Sequence, residues 1–491
     1  MREDRVDDRL GRLAEWSAAL RYEDLPAAAV EQAKLQLLDH LGSGIAGAEL
    51  PGSDAILAAA EGLGEAGEAT ILLDGRRTSA FAACLVNGAF ISQPELTVGI
   101  GRAIVHPGTQ ALPVLLAESE RRGTSGREIL VAFVVAYEVL IRIGWALTHV
   151  PGEPLSIVRP QLTTRGWYAP SVLGAFGAAA AAARARGLDA GLLLEAFGIC
   201  GNLAPTTLHA GAREGPVKAL GEGWATATGL FAVDLAEQGF TGVRQIAEHL
   251  FPLLVGGADK VDFERIDAGL GERLEFLDFG GNQTMFSASR ISSIPDCAVE
   301  LTERQAVDPG EVTDVLVETM TRFRSLDDPD PPNRAAARFS IPYCVAQVLS
   351  GRGRDDLLEA AFDEPAFDDP AWRDLARKVR VEVNQEFDSD FESYPRRSSS
   401  SRITVTMRDG ATVQHRVTGA FGMLGGRPAT SSDFERKFRH LAARRLPEGN
   451  ADAVIRIVAD LERQPDARDL VALCTREPAG TGSTTRKERV P

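Results

Sequence analysis

The chain has 491 residues, 44% hydrophobic and 25% charged, which is the balance of a soluble globular protein, and its length calls for two domains or three around more than one core. Its 53 Lys and Arg against 69 Asp and Glu give a formal charge of −16; so acidic a surface cannot release counterions from a phosphate backbone, which argues against nucleic acid while leaving a local basic cleft open. Cys84, Cys200, Cys297, Cys344 and Cys474 are scattered, odd in number and form no CxxC, the pattern of reduced, buried thiols.

The first residues, Met1 to Arg9, are charged and lack an apolar stretch, so no signal peptide is expected. No uninterrupted apolar run of membrane-spanning length occurs, and Arg184 and Arg186 break the alanine run at 178–183. A cytoplasmic location without membrane contact follows as the expectation.

From about Leu10 to Phe251 the pattern is helical. Residues 27–46 place Val30, Leu35, Leu38, Leu41 and Ile45 near helical spacing after Pro26. Similar segments cover 79–91, 109–122, 125–148, 171–186 and 221–237. Gly174, Gly177 and the alanine run read as close helix packing. A lone strand-like run, 69–73, lies early. After Gly271 the character changes: 312–320, 379–383 and 403–407 alternate with β-branched residues, and Arg408-Asp409-Gly410 signals a hairpin into 411–417. A helix over 335–349 is expected between the first two of these strands. Helical periodicity returns from 432 to 473. The fold class is mainly α: a large helical domain made from both ends of the chain (1–268 and 427–475), an inserted α+β lid domain with a small antiparallel or mixed sheet (269–426), and a disordered tail (476–491).

One G-x-G-x-x-G match, Gly62 to Gly67, precedes the strand-like run and so lacks the context of a dinucleotide site; no P-loop, H-E-x-x-H or serine elbow is present. Three other segments set chemically versatile residues among apolar helices. Asn87-Gly88 through Gly108 reads as a loop ending in His106-Pro107-Gly108, where a histidine ahead of a helix serves either as acid or base or as a structural cap. Arg165-Gly166-Trp167-Tyr168 offers an arginine for a carboxylate, or an exposed charge beside aromatic packing. Gly215-Pro216-Val217-Lys218, followed by Gly221 and Gly223, offers a lysine for an anion or base role, or a solvated one.

Taken in order, these segments resemble the MmgE/PrpD family. Leu38-Asp39-His40-Leu41-Gly42 with Ile45-Ala46-Gly47 is similar to its opening motif, and Asn87-Gly88 with His106-Pro107-Gly108 to its "NG … HP" loop. Arg165-Gly166 with Phe176-Gly177-Ala178-Ala179-Ala180, Lys218 to Gly223 with Gly239-Phe240-Thr241-Gly242, and Ala337-Arg338-Phe339-Ser340-Ile341-Pro342-Tyr343 match later ones. The resemblance implies a helical domain with an α+β lid, a homodimer, and cofactor-free, metal-free removal of a proton beside a carboxylate of a small-molecule substrate, with loss of water or carbon dioxide. It places catalysis on His106, Lys218 and Tyr168, and substrate binding on Thr97, Glu95, Arg165, Ser292 and Tyr343.

Departures from the family are as informative. Its acidic loop pair is Thr97-Val98 here, its "RG-x-H" histidine is Tyr168, and the lysine and tyrosine of its "K-P-Y-P-x-C" are Ser292 and Ile294. Each charged pairing lost weakens recognition of a polycarboxylate by roughly 1.5–3 kcal/mol, so a substrate less charged than 2-methylcitrate is expected. A diverged lyase leads. A cofactor-free isomerase or cyclase for a larger apolar metabolite and an inactive scaffold are the alternatives.

Overall fold

The computed structural model describes residues 8–64, 67–153, 161–204, 208–210, 217–279, 293–392, 399–422 and 426–476. Ser292 and residues 477–491 of the expected tail lie outside them. Arg476, assigned to the tail, is instead held by a backbone hydrogen bond to Leu73 O (2.8 Å).

The structure is mainly helical. Helix α1 (Ala27–Gly47) follows Pro26, and α2 (Ala80–Ser92) is capped by the Ser79 hydroxyl, which accepts from Ala82 N. Helix α3 (Pro107–Arg122) opens with Pro107 and stops at Gly123, whose φ of 69° suits glycine. Helix α4 (Gly126–Ala146) starts in a reciprocal Ser125–Glu128 capping box. Two more, α5 (Ala169–Ala185) and α6 (Val217–Glu237), complete the layer around the site.

These helices interlock through small residues. Helix α6 lies between α2 and α5, and α5 lies on α4. A Cβ on Gly223 would come within 2.1 Å of Leu85 O, and one on Gly177 within 2.3 Å of Leu140, so the glycines and alanines serve packing as expected.

Asn87-Gly88 lie inside α2, as the helical segment 79–91 expects, and the run read as loop begins only after Ser92. Gly88 faces the Cα of Gly223, and Asn87 is buried with its amide clamped to Leu72 N (2.9 Å) and Thr70 O (3.0 Å), beside the small β1–β2 pair (Ala69–Thr70 with Arg77–Thr78). Tertiary partners for the amide outweigh its turn preference. Helix α4 is also long and apolar enough to cross a membrane by length and composition, although Glu138 and Arg142 interrupt it; every residue of its apolar window is buried, which is the place of a central core helix.

The α+β part holds α7 (Ser293–Arg304), strand β3 (Val312–Thr319), α8 (Ile341–Leu349), and strands β4 (Val379–Val383), β5 (Ser401–Met407) and β6 (Thr412–Val417). The sheet order is β4-β3-β5-β6, with β3–β4 parallel and the other pairs antiparallel, so it is mixed. Val315, Val317, Val381, Ile403 and Val405 alternate onto the buried face, which α7 and α8 cover. The expected helix over 335–349 is two, Arg334–Ala337 and α8, because Ser340 caps the second by accepting from Tyr343 N and Pro342 opens its first turn. Helix α9 (Ser431–Ala442) then returns to pack on α1.

Candidate functional site

Three helix starts carry the candidate residues. His106 is the residue before α3, Tyr168 the residue before α5, and Lys218 the second residue of α6. Backbone N–H groups at a helix start carry partial positive charge, so this convergence favours an anion.

His106 makes no side-chain cap on its own helix. Its Nδ1 lies 3.2 Å from Val98 O. A carbonyl only accepts, so Nδ1 carries the hydrogen and Nε2 keeps a lone pair. Burial lowers the imidazole below its ordinary 6.5; the Glu222 carboxylate pulls the other way and the Lys218 ammonium adds to the fall. At neutral pH His106 is therefore an uncharged base. Gly108 follows because its Cβ would lie 2.3 Å from His40 Nε2 and 2.7 Å from the Tyr137 hydroxyl. His40 beneath it donates from Nδ1 to Gln36 O (2.7 Å) and is pushed by burial to a pKa of about 3.

Lys218 and Glu222, one turn apart on α6, face each other at 4.0 Å. Glu222 is 1% exposed and accepts from the Tyr168 hydroxyl (2.7 Å) and Gln110 Nε2 (3.3 Å). Gln110 stands one turn after His106 on α3. The Lys218 ammonium also pairs with Glu95 and lies 5.8 Å from the Tyr168 ring centre. The His209 ring lies 6.4 Å from that of Tyr168.

The loop carrying Glu95 and Thr97 is fastened by cations from distant parts of the chain. Arg338 donates to Pro94 O (3.3 Å), and Lys437 on α9 donates to Leu96 O (2.8 Å) and Asp39 (2.7 Å). Arg338 is buried, its guanidinium 4.7 Å from the Phe362 ring centre, and burial lowers its pKa. The ARFS segment thus braces the loop through its arginine.

Of the residues singled out in the sequence, His106, Lys218, Tyr168 and Glu95 come together, and Thr97 is buried two residues beyond Glu95. Arg165 does not join them: it is exposed, and its guanidinium lies at the end of the helix Ile246–Val255, donating to Leu253 O (3.4 Å), where carbonyls favour a cation. Tyr343 also stands apart, its hydroxyl bonded to Ala361 O and its ring stacked among Phe362, Phe367 and Trp372. Val98 and Ile294, at positions polar in the family, are fully buried core residues. Glu222, Gln110, His209 and Arg338 were not anticipated as site residues. The available signal was spacing: Glu222 and Gln110 each stand four residues after a candidate, hence on its helix face.

Comparison with known proteins gives a consistent answer. The model of the MmgE/PrpD N-terminal domain matches residues 11–258 and that of the MmgE/PrpD C-terminal domain residues 288–463. The chain is 26% identical to the cis-aconitate decarboxylase-like protein oryM of Aspergillus oryzae, over 95% of this chain and 97% of that protein. It is 26% identical to a cis-aconitate decarboxylase of Aspergillus terreus over 94% of each, and 27% identical to the cis-aconitate decarboxylase of Homo sapiens over 80% of this chain and 78% of that one. Both halves of the fold are matched in order along one chain, and the chain belongs to the MmgE/PrpD family.

Proposed function

We propose that the chain is a lyase of the dehydratase or decarboxylase type, acting without a cofactor on an acid less charged than 2-methylcitrate. The observation that carries this is a neutral His106 whose imidazole feels the charge of a buried ammonium, Lys218, at a place where the starts of three helices are joined through Glu222 and Gln110. Lys218 holds a carboxylate. In a dehydration, His106 Nε2 takes a proton from the carbon beside that carboxylate, the electron pair expels the neighbouring hydroxyl, and the imidazolium gives that proton to the departing oxygen, which leaves as water. In a decarboxylation, the electrons of the breaking bond stay on carbon as carbon dioxide departs, and that carbon takes a proton that His106 Nε2 has first accepted from solvent. Tyr168 positions Glu222 through its hydroxyl.

The relatives' names, cis-aconitate decarboxylase, support this reaction class for the present chain. Val98 and Ile294 support the reduced charge of the substrate, since two polar positions of the family have become core. The same swap favours a second reading, an isomerase or cyclase acting on a larger apolar metabolite. The assembly proposed is a homodimer in the cytoplasm.

The test is an assay with 2-methylcitrate, citrate, cis-aconitate and less charged unsaturated acids, following absorbance and carbon dioxide release. Turnover is expected for at least one acid. His106→Ala is expected to lower it roughly tenfold or more without unfolding the protein. Full activity in that variant would overturn the assignment of His106, and a folded protein inert on every acid would move the function to the second reading.

A further inference from the structure

We infer that the Glu95 carboxylate occupies the place on Lys218 that a substrate carboxylate takes, so that binding is an exchange of one carboxylate for another and Glu95 sets which acids are accepted. The proposal rests on the lyase reading only for the nature of the incoming acid.

The two side chains of the pair are 12% and 10% exposed, so little water competes for Lys218 and its partner must be an anion. Two carboxylates face it, and they differ. Glu222 is fixed by two further donors, Tyr168 and Gln110. Glu95 takes its one side-chain hydrogen bond among the described residues from Lys218. Glu95 is therefore the partner that can leave. A substrate anion arriving with Glu95 in place would put three carboxylates around one ammonium, and like charges at contact distance in a dry site repel strongly.

The backbone presents Glu95 for this role. Its φ is 59°, a left-handed conformation that strains a non-glycine residue. The carbonyls on either side, Pro94 O and Leu96 O, are held by Arg338 and Lys437. The loop thus stays in place while the side chain swings, and Arg338, which holds the carbonyl of the neighbouring Pro94, is the cation toward which it swings. An acid that offers a carboxylate alone gains little by replacing one carboxylate with another. An acid whose remaining atoms add contacts gains, and these are the acids selected.

The test is equilibrium binding by calorimetry, with butyrate, succinate and cis-aconitate as probes, on the full chain and on Glu95→Gln, Lys218→Met and the double variant. Glu95→Gln is expected to bind succinate and cis-aconitate about tenfold tighter, and to have no such effect when Lys218 is Met. Unchanged or weaker binding in a Glu95→Gln protein that keeps the wild-type thermal midpoint would overturn the proposal, as would an equal gain without Lys218. If Glu95→Gln does not fold, Glu95→Asp, which withdraws the charge by one methylene, is expected to show a smaller gain, and the absence of any gain refutes the exchange. Binding is read without turnover. Tighter binding with no acid converted therefore upholds the exchange and rejects the lyase reading, and turnover without tighter binding does the reverse.

Discussion

Replacing Glu222 probes the centre of the site. Its carboxylate is 1% exposed and has three neighbours: the Tyr168 hydroxyl at 2.7 Å, Gln110 Nε2 at 3.3 Å and Lys218 at 4.0 Å. Glu222→Gln keeps the volume and one acceptor but removes the charge. Lys218 retains Glu95, so the ammonium is not stranded and the cost falls short of a broken buried pair. A hydrogen bond to a charged group contributes roughly 1.5–3 kcal/mol, and that range is the expected loss. Glu222→Ala also leaves Tyr168 and Gln110 without their acceptor, adding roughly 1–3 kcal/mol for each. The two variants should separate clearly in thermal midpoint. Turnover should fall in both, because the Tyr168 hydroxyl and Lys218 lose their common anchor. Tyr168→Phe combined with Glu222→Gln should cost less than the sum of the single changes, since one removes and the other weakens the same hydrogen bond. Glu222→Ala with a wild-type midpoint and wild-type turnover would refute the network.

Other predictions follow from burial and exposure. His40 has a folded pKa of about 3 against 6.5 ordinarily, so its contribution is intact above pH 6.5 and drains away as pH falls toward 3. Over the first two units of that fall the loss is about 3 kcal/mol; His106, also lowered, acts in the same direction. Denaturant titrations at neutral and mildly acid pH should show it, with a flatter slope in His40→Gln; equal slopes would remove His40 as the cause. For the same reason the acid limb of the rate profile should lie below pH 6.5, and a limb above it would mean that His106 is not the titrating base. On α6, Val217, Leu220, Trp224 and Phe231 are 50%, 39%, 44% and 43% exposed at helical spacing, with Phe81 edge-on to Trp224 and Phe231. So wide an apolar stripe suits the proposed homodimer. Trp224→Glu should yield monomers by light scattering, and a dimer of undiminished stability would exclude this face.

The helices and strands were legible where local chemistry decides. Ser79, Ser125 and Pro107 mark helix starts through side-chain caps or a dispensable N–H, and Arg408-Asp409-Gly410 marks a hairpin through Gly410 at a φ of 85°. Reading failed where partners far along the chain decide. Glu222 looks like a surface charge until Gly223 is seen to press that stretch of α6 against α2. Arg165 misleads in the opposite sense: the motif puts an arginine before α5, and the carbonyls ending the neighbouring helix draw it outward.

These placements bear on how the site differs from a polycarboxylate site. Where the resemblance has a histidine this chain has Tyr168, whose hydroxyl donates to Glu222. In the proposed reaction it orders a carboxylate, and proton transfer falls to His106. Val98 and Ile294 turn two polar positions into core. What stays among the described residues is a neutral imidazole, an ammonium and three helix starts, with two carboxylates already facing the ammonium. An ammonium already answered by two carboxylates gains little from a second or third substrate carboxylate. On the reading proposed above, specificity then falls to the contacts around the single carboxylate that reaches Lys218, and the loop from Glu95 to Val98 is where those contacts would be set.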